Sequence, residues 1–134
     1  MQKKGYKVNI EKLTLENDNF RQVLYTAEHC QLVLMSLRAG EEIGSEVHEG
    51  GDQFFRFEKG NGKVIINDTE YIVSGGDSVI VPAGAKHNVI NTSATEALKL
   101  YTIYAPPHHK DKVLRKTREE AVSDGPEFDG PTTE

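Results

Sequence analysis

Between Gln31 and Tyr104 the apolar residues fall into short runs broken by glycine-centred gaps. LVLMSL (32–37) stops at Ala39-Gly40, and QFFRF (53–57) is followed by Gly60-Asn61-Gly62. KVIIN (63–67) and EYIVS (70–74) flank Asp68-Thr69, a hairpin signal, and Gly75-Gly76 closes that segment. DSVIVP (77–82) runs into Ala83-Gly84; HNVIN (87–91) and LKLYTIY (98–104) are separated by the polar loop TSATEA. Strands of this length and spacing predict an all-β antiparallel sandwich or barrel.

The two ends read differently. Residues 1–30 form an N-terminal segment in which 10–27 could supply one or two edge strands, with VLYTA (23–27) the best candidate. Residues 105–134 form a C-terminal extension. Pro106-Pro107 stops the last strand, and Thr117-Arg118-Glu119-Glu120 fits a capping box, which predicts a short helix from about Thr117 to Val122. The closing SDGPEFDGPTTE, rich in glycine, proline and acid, reads as a flexible tail.

Composition narrows the functional classes. At 134 residues one domain is expected, and 37% hydrophobic with 28% charged residues suits a globular chain with its own core. The net charge of -5 comes with no basic stripe, which argues against a nucleic-acid partner. No apolar run is long enough to cross a bilayer, so no membrane partner is expected. The N-terminal MQKKGYKVNIEKL lacks the apolar core of a secretory signal, and Cys30 is the lone cysteine. A cytoplasmic location is the simplest expectation. Cys30 itself, with no motif around it, is expected to be a small buried hydrophobe.

The segment from Gly40 to Gly60 carries the chemistry. Strand alternation points Glu46 and His48 to one side. A tight Glu49-Gly50-Gly51-Asp52 turn can return Gln53 beside His48, with Phe55 and Phe57 sharing its face. A second segment runs from Gly76 through Pro82 and Gly84 to His87 and Asn91. Spacing alone does not bring His87 to Glu46.

Together these segments resemble the cupin superfamily. Its first motif is glycine, five residues, His-x-His, three or four residues, Glu, six residues, glycine. Glu46, His48, Gln53 and Gly60 fall at those positions after Gly40. Its second motif is glycine, five residues, Pro-x-Gly, two residues, His, three residues, Asn. Gly76, Pro82, Gly84, His87 and Asn91 match it throughout. The run E-x-H-x4-Q-F-F with the later Y-x-P-P-H-H looks like small bacterial cupins of the mannose-6-phosphate isomerase-like group.

The resemblance covers residues 31–104 and implies a jelly-roll β-barrel, the double-stranded β-helix. It also implies a divalent metal ion held by Glu46, His48, Gln53 and His87, and a homodimer that uses residues 10–27. Two imidazoles, one carboxylate and one amide oxygen carry the same formal charge as three imidazoles and one carboxylate. That set suits Zn, Mn, Fe, Co or Ni.

Simpler roles stand beside these. Gln53 is either a ligand or a buried amide hydrogen-bonded to Glu46 or His48. Asn91 is expected to be structural, bonding a neighbouring turn. Phe55, Phe57, Tyr101 and Tyr104 are expected in the core. His108 and His109 are expected at the surface, although a segment crossing the barrel mouth would bring one inward. Arg38, Lys86 and Lys99 lie near the motif strands as candidate partners for a phosphate.

Three functions follow. The first is a metal-dependent isomerase-type enzyme acting on a small oxygenated or carbohydrate-like molecule, with Glu46 as the catalytic base. The second is a non-catalytic ligand-binding cupin. The third is a non-haem metal dioxygenase.

Overall fold

Alternation is clearest in the strand over residues 52–59, which buries every second side chain, and the inward residues of two sheets meet in one interior. The structure is a computed structural model and describes residues 2–134. The strands are β1 (Arg21–Thr26), β2 (Gln31–Leu37), β3 (Glu46–Val47), β4 (Asp52–Lys59) and β5 (Asn61–Ile66). They continue with β6 (Thr69–Ser74), β7 (Ser78–Val81), β8 (Lys86–Asn91), β9 (Leu98–Ala105) and β10 (Leu114–Arg115). Helices α1 (Ile10–Glu16) and α2 (Arg118–Ser123) flank them. One antiparallel sheet has the order β10-β1-β2-β9-β4-β7, and the facing one β3-β8-β5-β6. This is the expected all-β jelly roll.

Register explains why one end of the interior is apolar and the other polar. On β2, β9 and β4 the pairs Leu37↔Leu98, Met35↔Leu100 and Leu100↔Phe57 place large apolar side chains in adjacent rows. All of these are fully buried. Two rows further on, Gln31↔Tyr104, Tyr104↔Gln53 and Gln53↔Val81 form a transverse row that is mostly polar. On the facing sheet, Val64 and Val89 pair beneath the apolar rows, and Glu46 pairs with His87 toward the polar end. Phe55 and Phe57 are in the core as expected, with Phe54, Arg56 and Glu58 on the opposite face of β4.

Several local expectations hold. Thr117 caps α2 by accepting from Glu120 N, and Glu120 Oε2 accepts in return from Lys116 N. The Asn91 amide is structural: Nδ2 donates to the carbonyls of Leu37, Arg38 and Glu96, and Oδ1 accepts from Ser93 N.

Other expectations are corrected. Residues 10–16 are helical because Asn9 caps them, accepting from Lys12 N. VLYTA lies largely in β1, next to last in its sheet; the two-residue β10 covers the outer side of β1 only at Arg21 and Gln22. The β5–β6 loop is Asn67-Asp68, one residue earlier than the sequence indicated, with Asn67 in the left-handed region at φ 50°. Cys30 is exposed, since it sits in the β1–β2 turn and not on a strand face.

The C-terminal segment is not free of the fold. Thr133 N donates to Thr26 O, and the Glu134 carboxylate accepts from Lys4 N, Gly5 N and the Tyr25 hydroxyl. Its acidic composition supplies acceptors for backbone N–H groups that would otherwise lack one.

Gly60 combines a φ of 102° with tight packing against backbone: a Cβ there would lie 2.6 Å from Ala97 O. Gly60→Ala is expected to cost roughly 2–4 kcal/mol, from backbone strain and overpacking together. Chemical denaturation will show this as a lower midpoint with an unchanged slope.

Candidate metal centre

Glu46 comes from β3 and His48 from the two residues after it. Their side chains share a face, as alternation requires, and Glu46 Oε2 lies 3.0 Å from His48 Nε2. The contact is badly aligned for a hydrogen bond, and His48 Nε2 is buried with no hydrogen-bond partner. Both atoms therefore address a shared space more than each other.

His87 lies opposite Glu46 in the β3–β8 register. It is buried, its Nδ1 is 3.3 Å from Ala85 O, and its ring centroid is 5.3 Å from that of His48. Gln53 is on the other sheet, in β4. Its Nε2 donates to Thr102 Oγ1 at 3.0 Å, and its Oε1 is buried without a partner. The hydrogen bond to Glu46 or His48 that would have explained its burial is not the one formed. Cross-strand position puts Gln53 beside Tyr104 and Thr102 instead.

The residue missing from the sequence-derived set is His108. Its ligating nitrogen groups with those of Glu46 and His48, all three donor atoms lying within 4.8 Å of one another. The His48 and His108 ring centroids are 4.4 Å apart. The expectation of surface histidines is thus corrected for both residues: His108 is partly buried and His109 is only 6% exposed.

The cause is Gln31, which is fully buried at the polar end of β2. Gln31 Oε1 accepts from His108 N at 3.2 Å and His109 N at 2.9 Å, while Nε2 donates to His109 O and Thr26 Oγ1. The C-terminal segment adds the bonds Phe128 N to His108 O and Lys110 N to Pro126 O. The only sequence signal was the Pro-Pro-His-His run directly after the last barrel strand.

Charge at the site follows from burial. Burial pushes the Glu46 carboxyl up, but the closeness of His48 and the charges of His48, Arg21 and His108 outweigh it, leaving Glu46 below the ordinary carboxylate value. Burial is also the main reason His87 and His108 lie below the usual histidine value. It holds His109 down to about 2. The Tyr104 phenol is pushed up by burial, so it stays protonated. It sits 3.2 Å from His109 Nε2, where a neutral imidazole can accept its proton.

The three cations suggested by sequence lie elsewhere. Lys99 points outward from β9 and pairs with Asp18 and the Asn17 carbonyl. Arg38 is exposed, and Lys86 borders a surface hollow with Asn67 and Asp68.

The donor set fits a divalent borderline ion: one carboxylate and two imidazoles, beside the amide oxygen of Gln53, which is buried without a hydrogen-bond partner. Each orphaned buried atom would otherwise cost about 1–3 kcal/mol.

The structure is a jelly roll with a Glu-His-His group, able to hold a metal ion, at one end of the interior. The chain belongs to the cupin family: residues 33–104 match the Cupin domain. It is 44% identical over 126 residues to the uncharacterized protein YrkC of Bacillus subtilis, covering 90% of this chain and 67% of that protein. An uncharacterized protein of Acanthamoeba polyphaga mimivirus is 43% identical over 111 residues, covering 81% of this chain and 69% of that one. Among solved structures, BH2720 from Bacillus halodurans is 39% identical with a TM-score of 0.88, covering 90% of this chain and 96% of that one. No helix among the described residues is long and apolar enough to cross a membrane.

Two outcomes follow from this geometry. Gln31→Leu leaves two buried backbone N–H groups and one carbonyl without their partner, so a loss of about 2–4 kcal/mol is expected by denaturant titration. Metal retention should fall with it, because the loop that carries His108 is released.

The second outcome concerns pH. Below about 6.5 the unfolded chain takes up protons that His109, His108 and His87 refuse when folded. Stability must therefore fall as the pH drops, starting at the ordinary histidine value. His109 alone contributes about 2 kcal/mol of loss by pH 5. The lowered Glu46 acts in the same direction, its contribution being lost as pH falls below the ordinary carboxylate range. Melting curves of chelator-treated protein from pH 8 to 5 check this; a flat profile contradicts it.

Proposed function

We propose that this chain is a metal-dependent cupin in which Glu46, His48 and His108 hold Zn, Mn, Fe, Co or Ni. On this reading it acts on a small oxygenated or carbohydrate-like molecule by isomerase-type chemistry. The observation that carries the reading is the convergence of one donor atom each from Glu46, His48 and His108 within 4.8 Å of one another. The likeness to the mannose-6-phosphate isomerase-like group supports the reaction class and rests on the motif residues alone.

Such an ion, when bound, would supply a Lewis acid for substrate oxygens. The protein residues would do the rest. Glu46, held ionised, is the group able to accept a proton. Tyr104, held protonated with its ring 5.8 Å from that of His48, is a fixed hydroxyl at the same end of the interior, suited to hydrogen bonding and not to giving up its proton. Phe55 and Phe57 close the interior to water from below. Gln53 Oε1 is an open acceptor in the same half of the barrel. His87 and Gln53 remain candidates for the further ligand that the motif implies.

His87 Nδ1 and Gln53 Nε2 are engaged by neighbouring protein groups, which leaves His87 Nε2 and Gln53 Oε1 as the atoms able to face an ion. The second reading, a ligand-binding cupin without catalysis, uses the same pocket with no bound metal.

Elemental analysis of tag-free protein decides between ligand sets. About one ion per chain is expected in the wild type, lost in His48→Ala and His108→Ala and retained in part in His87→Ala and Gln53→Ala. Loss in His87→Ala with retention in His108→Ala would restore the motif-derived set. Absence of metal after reconstitution with each ion would leave the ligand-binding reading.

A further inference from the structure

Beside the Glu-His-His group is a cavity of ≈ 220 Å³, lined by Phe20, Arg21, Ile43, Glu46, His108 and His109 and closed by α2. Arg21 opens β1, and its side chain takes the inward parity that it shares with Val23. It is only 7% exposed. Guanidinium groups are seldom buried without a carboxylate or carbonyl to bond. Among the described residues, Arg21 has no ion pair within 4.0 Å, its guanidinium makes no hydrogen bond, and Nε is sealed from solvent. The Phe20 ring lies 5.3 Å from the guanidinium carbon. Arg115, its neighbour across β1 and β10, is turned to Asp124 and supplies nothing to the cavity.

We propose that Arg21 anchors the carboxylate of a small organic acid, so the ligand of this centre is a monocarboxylate with a neighbouring oxygen, such as a 2-hydroxy or 2-oxo acid. A guanidinium presents parallel N–H groups that match the two oxygens of a carboxylate. Placed on Arg21, the acid would extend within the same cavity toward Glu46 and His108. The charge count selects a carboxylate over a phosphate. Arg21 is the only Lys or Arg lining the cavity, and Glu46 and Glu127 line it too; with a divalent ion held by Glu46 the surroundings would carry one net positive charge, which a monoanion neutralises and a dianion exceeds. A neutral sugar would leave the buried cation unanswered. The proposal rests on the preceding reading in that it names the ligand of the same site.

The test is calorimetric titration of glycolate, with ethylene glycol and inorganic phosphate as comparators, into zinc-loaded and metal-free protein. Glycolate is expected to bind at least roughly 10-fold more tightly than either comparator. In Arg21→Met its affinity should fall by roughly 10- to 100-fold, and in Arg21→Lys by less. Arg21→Met should keep the wild-type metal content and melt no lower than wild type, because it removes a buried cation that pairs with nothing. A purely structural arginine would lower the melting temperature instead.

Equal binding of glycolate and ethylene glycol, tighter binding of phosphate, no detectable glycolate binding, or unchanged glycolate affinity in Arg21→Met each overturns the proposal. Should Arg21→Met fail to fold, Arg21→Lys and the wild-type comparison of the three probes still decide. Arg21-dependent glycolate binding in protein that takes up no metal would sustain the inference while the metal reading fails. Metal uptake without a preference for glycolate would do the reverse.

Discussion

The side-chain amide of Gln31 uses both its oxygen and its nitrogen to fasten the chain that follows the barrel. It sits at the polar end of β2, in the same row as Tyr104 and Gln53. The cost of burying an amide is offset only if its hydrogen bonds are made. Here the backbone of residues 108 and 109 makes most of them. That requirement places His108 against His48 and His109 against Tyr104. The centre is therefore completed by a segment outside the barrel, and the segment is held by a residue that is not itself a ligand.

This explains which parts of the site could be read from sequence. Glu46, His48 and the Gly76-to-Asn91 motif were legible because strand parity and turn geometry are local properties. The register Glu46↔His87 follows once the two motifs are recognised as one frame. His108 was not legible in the same way. Its position depends on Gln31, 77 residues earlier in the chain, and on contacts from the C-terminal segment. A glutamine inside an apolar run gives no indication of what it will bond. Likewise Arg21 reads as an ordinary charged residue at a strand start, and only the closure of the interior by α2 and β10 makes its burial evident.

The fold class was more robust than the termini. Glycine breaks and alternating runs encode strands directly, and Thr117 to Glu120 encode a helix start. The C-terminal SDGPEFDGPTTE was misread because low hydrophobicity argues for solvation only when the backbone has no partner. In this chain acidic groups meet free N–H donors of the N-terminal segment and the Tyr25 hydroxyl. The N-terminal segment and the C-terminal one then stabilise each other.

Charge gives the last constraint. The polar end holds the ionised Glu46, the Arg21 guanidinium and a cluster of histidines, of which burial keeps His87, His108 and His109 toward their neutral forms. Glu46 and Arg21 balance in sum but do not touch, for no ion pair joins them within 4.0 Å. Separation has a consequence that direct pairing would remove. A paired Glu46 would be a poorer ligand and a poorer base, and a paired Arg21 would have no donors to offer. Held apart on different sheets, with neutral histidines between, each keeps an unspent valence. That arrangement is costly for the empty protein and favourable for one that holds a cation near Glu46 and an anion near Arg21 at once.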